Sequence, residues 1–139
     1  MVNAAKVKDT GTGEQTVVLP GGTGQAEVRQ LSPTTIATQN STPTAAQLLG
    51  GLIDHVSVTG AGTATLDTGA NLDSAFPGAV VGDSFRCLYA NTGTQTVTIT
   101  TNTGLTLKGT AAITTLKNAE LLFRKTGTAT WTVYISGGA

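Results

Sequence analysis

Residues 96–109 read TVTITTNTGLTLKG, and the order of these letters sets the fold class. Val97 and Ile99 alternate with Thr96, Thr98 and Thr100, the period-two pattern of a strand with one face on a core. Asn102-Thr103-Gly104 breaks the run, and Leu105 and Leu107 resume the alternation around Thr106. Threonine fits both roles asked of it here. Its branched Cβ suits a pleated strand, and its hydroxyl keeps an outer face wet without charge.

The same grammar extends outward in both directions. LIDHVSVT (52–59), TATLD (63–67), SFRCLYA (84–90), AELLFRK (119–125) and TWTVYIS (130–136) all read as strands. Leu121 and Phe123 oppose Arg124, while Trp131, Val133 and Ile135 share a face opposite Thr132, Tyr134 and Ser136. Between the runs a short phrase recurs: DTG at 67–69, NTG at 91–93 and 102–104, KTG at 125–127, with one more DTG at 9–11. A polar residue, Thr and Gly in that order predict a three-residue hairpin loop, with the glycine left-handed. Short strands at such regular spacing predict an all-β fold, a single β-sandwich or barrel domain over 44–139.

Composition agrees. Threonine supplies 28 of 139 residues, and charged residues only 12%, against about 25% in an average domain. The formal net charge is zero and no Lys/Arg run occurs, so no nucleic-acid partner is expected. Cys87 is the only cysteine, which rules out an intramolecular disulfide and a multi-cysteine zinc site. Inside FRCLY it reads as a small buried hydrophobe. No apolar run approaches the roughly 20 residues of a membrane helix. The first residues, MVNAAKVKDTGTGEQ, lack the apolar core of a signal peptide, so cytoplasmic synthesis is expected.

Residues 1–43 have a different texture. They are polar, with one apolar patch at TVVLP (16–20) and a weaker one around Ile36. Such a segment buries too little apolar surface to offset its own ordering entropy, and it reads as an extended N-terminal arm that orders against something else. Thr16–Leu19 is its strand candidate. A short helix is expected next, with Ser41 or Thr42 as cap, Pro43 in the first turn, TAAQLL as body and Gly50-Gly51 as the stop.

One phrase raises the question of catalysis. LDTGAN (66–71) resembles the catalytic string of retroviral-type aspartic proteases, in which two aspartates share one proton. That chemistry would require two copies of the chain to bring two Asp67 carboxylates together. The family's later motif, two aliphatics and a glycine leading into a helix, has its nearest counterpart in AVVGDS (79–84), which precedes a strand instead. The chain's repeated use of polar-Thr-Gly favours a turn, with Asp67 ending a strand and capping ANLDSAF. Asp54 and His55 are adjacent on a strand and face opposite ways, and Ser57 shares the face of His55. These read as surface or interface residues. Asp67, Asp73 and Asp83 lack calcium-loop spacing, and GGTG (21–24) and GTGEQ (11–15) lack the Lys-Ser/Thr of a phosphate loop. No catalytic, cofactor-binding or metal-binding residue is expected, and the chain is not expected to be an enzyme.

The stretch from Val81 to Gly138 is similar to a β-domain of tailed-bacteriophage structural proteins. The likeness is carried by Gly82, Asp83 and Phe85, by Asn91 and Gly93, by Gly104–Leu107, and by Trp131–Tyr134. It implies a jelly-roll or sandwich module that trimerises, as in capsid decoration (cement) proteins. It further implies the major capsid protein as partner, a homotrimer, and the outer surface of the virion as location. An arm of about 40 residues reaches at most ~130–145 Å, enough to cross onto neighbouring subunits. Thr16, Val17, Val18, Leu19 and Ile36 are the expected capsid-contacting residues, with TVVL adding as a strand to an exposed sheet edge. A tail or head fibre or receptor-binding module is the alternative reading, and the aspartic protease the third.

Overall fold

The structure, a computed structural model, describes residues 7–9, 14–18, 25–56 and 59–139. Leu19, Ser57 and the GGTG stretch lie outside them. The chain divides into two compact units, 1–31 and 32–139.

The first unit holds a three-stranded antiparallel sheet: β1 (Val7–Asp9), β2 (Glu14–Val18) and β3 (Gln25–Arg29), in the order β1-β2-β3. A single strand was expected in this region, and three occur. Thr16, Val17 and Val18 belong to the middle one, paired to Lys8 and Val7 on one side and to Glu27, Ala26 and Gln25 on the other.

The second unit is all-β with two short helices and two sheets. Its elements are β4 (Ser32–Ile36), β5 (Asn40–Ser41), α1 (Ala45–Leu49), β6 (Gly51–His55), β7 (Gly62–Thr65), α2 (Gly69–Ala75), β8 (Ser84–Asn91), β9 (Val97–Thr100), β10 (Leu105–Lys108), β11 (Ala112–Ile113), β12 (Lys117–Gly127) and β13 (Thr130–Gly137). A six-stranded sheet runs β10-β13-β12-β8-β6-β4, and a four-stranded sheet runs β11-β9-β7-β5.

Every connection from β4 to β12 passes from one sheet to the other. Successive strands within a sheet therefore run parallel: β4, β6 and β8 in one, β5, β7 and β9 in the other. The chain coils through three such turns. It then closes with β12 antiparallel to β8, and with the β12–β13 hairpin. Parallel neighbours need a crossover, and here each crossover is a strand of the opposite sheet. This corrects the jelly-roll expectation, because a jelly roll is built from antiparallel Greek keys. It also corrects the hairpin expectation for both NTG triplets, which sit where the chain changes sheets. Alternating apolar positions show which face a strand buries, but not which strand it pairs with.

Both sheets bury their inner faces in one apolar cluster. The expected inward residues are there: Val97, Ile99, Leu121, Phe123, Trp131, Val133 and Ile135 are all buried. Cys87 is a buried thiol, as its apolar setting suggested. Phe85 stacks on Phe123 at 4.5 Å between ring centroids and meets Trp131 edge-on at 5.8 Å, a pairing worth about 0.5–1.5 kcal/mol beyond area burial. Ile36, at the end of β4, is also part of this core. It is therefore not the surface contact the sequence suggested.

Helix α1 starts later than expected, its cap two residues beyond Thr42. Thr44 is its N-cap, accepting from the Gln47 amide while the Gln47 side chain accepts from the Thr44 amide, a full capping box. Ser41 is in β5, and Pro43 lies just outside the helix. Gly50 ends it, as the sequence indicated.

Candidate functional site

Three of the polar-Thr-Gly phrases meet at one end of the second unit. The DTG triplet (67–69) leads from β7 into α2, the second NTG (102–104) leads into β10, and KTG (125–127) ends β12. The Gly69 amide donates to the Thr103 carbonyl at 2.9 Å, and the Trp131 amide donates to the Gly104 carbonyl at 2.9 Å. Between them sits Ala129, left-handed at φ 50 in the loop after β12. A Cβ on Gly69 would lie 2.0 Å from the Ala129 carbonyl oxygen, and one on Gly104 would lie 2.2 Å from it. The two glycines are thus required by the close approach of a third backbone. Among the described triplet glycines only Gly104 is left-handed, at φ +84. The left-handed residue of the β12–β13 hairpin is Ala129, not the glycine of KTG.

Asp67, the aspartate of LDTGAN, lies beside this junction and is 9% exposed. Its Oδ1 accepts from the Thr68 amide at 2.7 Å and from Asn71 Nδ2 at 2.6 Å. Its Oδ2 accepts from the amide of Ala45, the first residue of α1, at 2.7 Å. Thr68 itself caps α2, accepting from the Asn71 amide. One carboxylate therefore ties the starts of both helices together, where free amides and the helix dipole favour an anion. Burial alone would push its pKa up. The bonds from Asn71, Ala45 and Thr68 outweigh that and hold it below the usual carboxylate range. Replacing Asp67 by Asn turns one acceptor into a donor facing a donor, at a cost of about 2 kcal/mol. Chemical denaturation checks this, and an unchanged midpoint would contradict the double-capping role.

Asp73, on α2, makes a second hub. Its Oδ1 accepts from Lys125 Nζ and from Trp131 Nε1, the latter at 2.8 Å, and its Oδ2 accepts from the Ala129 amide at 2.9 Å. Lys125 is 7% exposed, on a strand position otherwise facing the core. Its ammonium also lies 5.2 Å from the Trp131 ring centroid. Lys125 first, then the Ala129 amide and, against the opposing effect of burial, Trp131 hold the Asp73 carboxyl below its usual range. Nothing in the sequence marks this cluster, since its members are more than fifty positions apart.

His55 is fully buried rather than at a surface or interface, although Asp54 does face the other way as expected. Nε2 lies 2.7 Å from the Thr38 carbonyl, and Nδ1 2.8 Å from the Tyr89 hydroxyl. A carbonyl only accepts, so in the neutral ring Nε2 carries the proton and Nδ1 accepts from the phenol. Burial pushes the Tyr89 phenol well above the ordinary tyrosine value. Asn91, of the first NTG, is also fully buried. Its Nδ2 donates to the Gln95 and Ile113 carbonyls at 2.7 and 2.8 Å, and its Oδ1 accepts from the Gly93 amide. This triplet stitches a crossing loop to β11.

Asp67, Asp73 and Asp83 do not converge. Asp83 accepts from the Val80 amide in its own loop, and no metal-ligating cluster occurs among the described residues. No described helix is long and apolar enough to cross a membrane.

Nothing matches the chain among protein-family models, curated proteins or solved structures. The geometry of its own residues must carry the functional reading.

Proposed function

We propose that this chain is a structural protein of a tailed-phage head, a decoration (cement) protein that sits as a homotrimer on the outer capsid surface and binds the major capsid protein. The observation that carries the structural reading is the use made of the reactive side chains. Asp67, Asp73 and His55 each have both polar atoms engaged by donors or acceptors of their own chain, and each makes at least one bond to a segment distant in sequence. An aspartate capping two helices supports a scaffold role over a protease dyad. The assignment to a phage head rests on the resemblance of residues 81–138.

The division into units at residue 31 suits a body that sits on the shell and a separate segment that clasps it. Strand addition remains the mechanism, with a change of strand. The backbone of β2 is paired on both sides, so a capsid edge would be met by β1 or β3, the free edges of that small sheet. Each net hydrogen bond contributes about 0.5–1.5 kcal/mol. Three tethered arms then multiply a weak contact.

Deleting residues 1–30 tests this. The truncated protein should keep the melting behaviour of the second unit and lose binding to heads in co-sedimentation. Full occupancy by the truncated chain would remove the clasp from the account.

A further inference from the structure

We propose that the outer face of the six-stranded sheet is a self-association surface on which a second copy of this chain seats. This goes beyond the decoration reading and does not depend on it. The ladder register defines the face in rows. Pro33, Leu52, Leu88, Glu120 and Ser136 lie side by side in one row. Arg86, Leu122, Tyr134 and Lys108 form the next. Leu52 and Leu88 are direct neighbours in the first row and Leu122 and Tyr134 in the second, two apolar pairs spread over four neighbouring strands.

Leu88 is 40% exposed and Tyr134 43%, with Leu52 and Leu122 half-buried between and beside them. An outward strand position in this chain is ordinarily Thr, Ser or a charged residue. Four large apolar side chains grouped on this face are a departure, of the kind that marks interfaces.

A second copy is the occupant that fits, for two reasons. The first is charge. Arg86 and Glu120 pair at 3.4 Å between the two apolar pairs, with side chains 67% and 44% exposed. Both signs therefore sit at the centre of the same apolar group. A copy of the face turned about a two-fold axis presents a carboxylate to Arg86 and a guanidinium to Glu120, a contact additional to the three-fold one of the decoration reading. The second is size. Strands of eight to eleven residues in the middle of a six-strand sheet give a face of roughly 600 Å², near the ~800 Å² per partner of a standard interface. The four-stranded sheet offers no comparable surface. Its strands carry no charged residue, and its outward positions are Thr63, Thr65, Thr98 and Thr100, hydroxyl-bearing and without a large apolar anchor.

Sedimentation velocity on the full chain tests the proposal. The wild type should sediment as an oligomer at micromolar concentration. Leu88→Lys, whose new ammonium faces Glu120 across the ladder and so spares the fold, should weaken association ~10-fold or more. Tyr134→Thr should weaken it in the same direction without introducing charge. Val81→Lys, at a still more exposed apolar residue in the loop before β8, should leave it unchanged. A monomeric wild type would overturn the proposal, and so would unchanged association of both Leu88→Lys and Tyr134→Thr. If those variants keep their mass but lose binding to heads, the face meets the shell and self-association through it is refuted. An oligomer that depends on Leu88 but never binds heads upholds the interface and counts against decoration alone.

Discussion

Replacing Asp73 by alanine is expected to destabilise the second unit by about 3–4 kcal/mol, a large share of a domain's total stability. The substitution removes one acceptor group and strands three donors. Lys125 would keep its charge at a site only 7% exposed, and the Trp131 indole and the Ala129 amide would lose their partner. An unpaired buried ammonium is the largest part of this cost. Lys125→Met in the same chain should therefore recover a substantial part of the loss, because a straight apolar side chain can fill the Lys125 stem's place against Trp131. Urea denaturation of the two single variants and the double variant measures the coupling. A loss under about 1 kcal/mol for Asp73→Ala would mean the cluster is a solvated surface pair.

The same carboxylates set the acid limit of the fold. Both Asp67 and Asp73 are held below the ordinary carboxylate value in the folded chain, so near that value, about 4, the unfolded chain binds more protons. Their contribution is fully present above it and is lost as pH falls through the lower folded values. Stability should stay level from neutral pH down to about 5 and fall below about 4, with a shallower fall in Asp73→Asn. A melting temperature that rises on acidification below about 4 would contradict this sign.

Gly104→Ala is expected to be comparably damaging, at about 2–4 kcal/mol. Two penalties combine at this position. The backbone is left-handed at φ +84, and the added Cβ would lie 2.2 Å from the Ala129 carbonyl oxygen. The obstacle is backbone and cannot rotate away. Its neighbours cannot yield easily either, because the Trp131 amide donates to the Gly104 carbonyl and the Ala129 amide to Asp73. Two other glycines separate the penalties. Gly82 is left-handed at φ +101 with nothing within 4 Å of a new Cβ, and its alanine variant should cost only about 1 kcal/mol. Gly69 lacks the positive φ but faces the same carbonyl at 2.0 Å. Thermal unfolding should rank Gly104→Ala and Gly69→Ala well below Gly82→Ala in melting temperature. Equal losses at Gly82 and Gly104 would mean that strain alone, and not the three-loop junction, explains the repeated triplets.

These two sites show what could and could not be read from the letters. Trp131, Val133, Ile135, Val97 and Ile99 were legible as inward residues because period-two alternation depends only on a strand's own pleat. Pairing was not legible. Thr98 can pair with Thr63 in a parallel ladder, as it does, or with a hairpin neighbour, and its own letters are the same in both cases. β4 was hidden because SPTTI contains a proline. Pro33 is tolerated there because the strand is an edge and the neighbouring Ser32 amide donates to the Gly50 carbonyl, leaving Pro33's missing donor turned away from β6. One residue before Thr68, which is the cap of α2, Asp67 was legible as part of a turn because its phrase recurs. Its grip on α1, twenty-two residues upstream, was not, since only the fold brings Ala45 to it. The Asp73, Lys125 and Trp131 hub has no local signal for the same reason.

The central claim is that this chain decorates a phage head, and the composition of purified virions tests it most directly. Heads separated from tails on a gradient should carry the protein on their outer surface, at a copy number equal to three per three-fold or quasi-three-fold site of the shell. Recovery of the protein only with tails, or its absence from mature heads, would contradict the account.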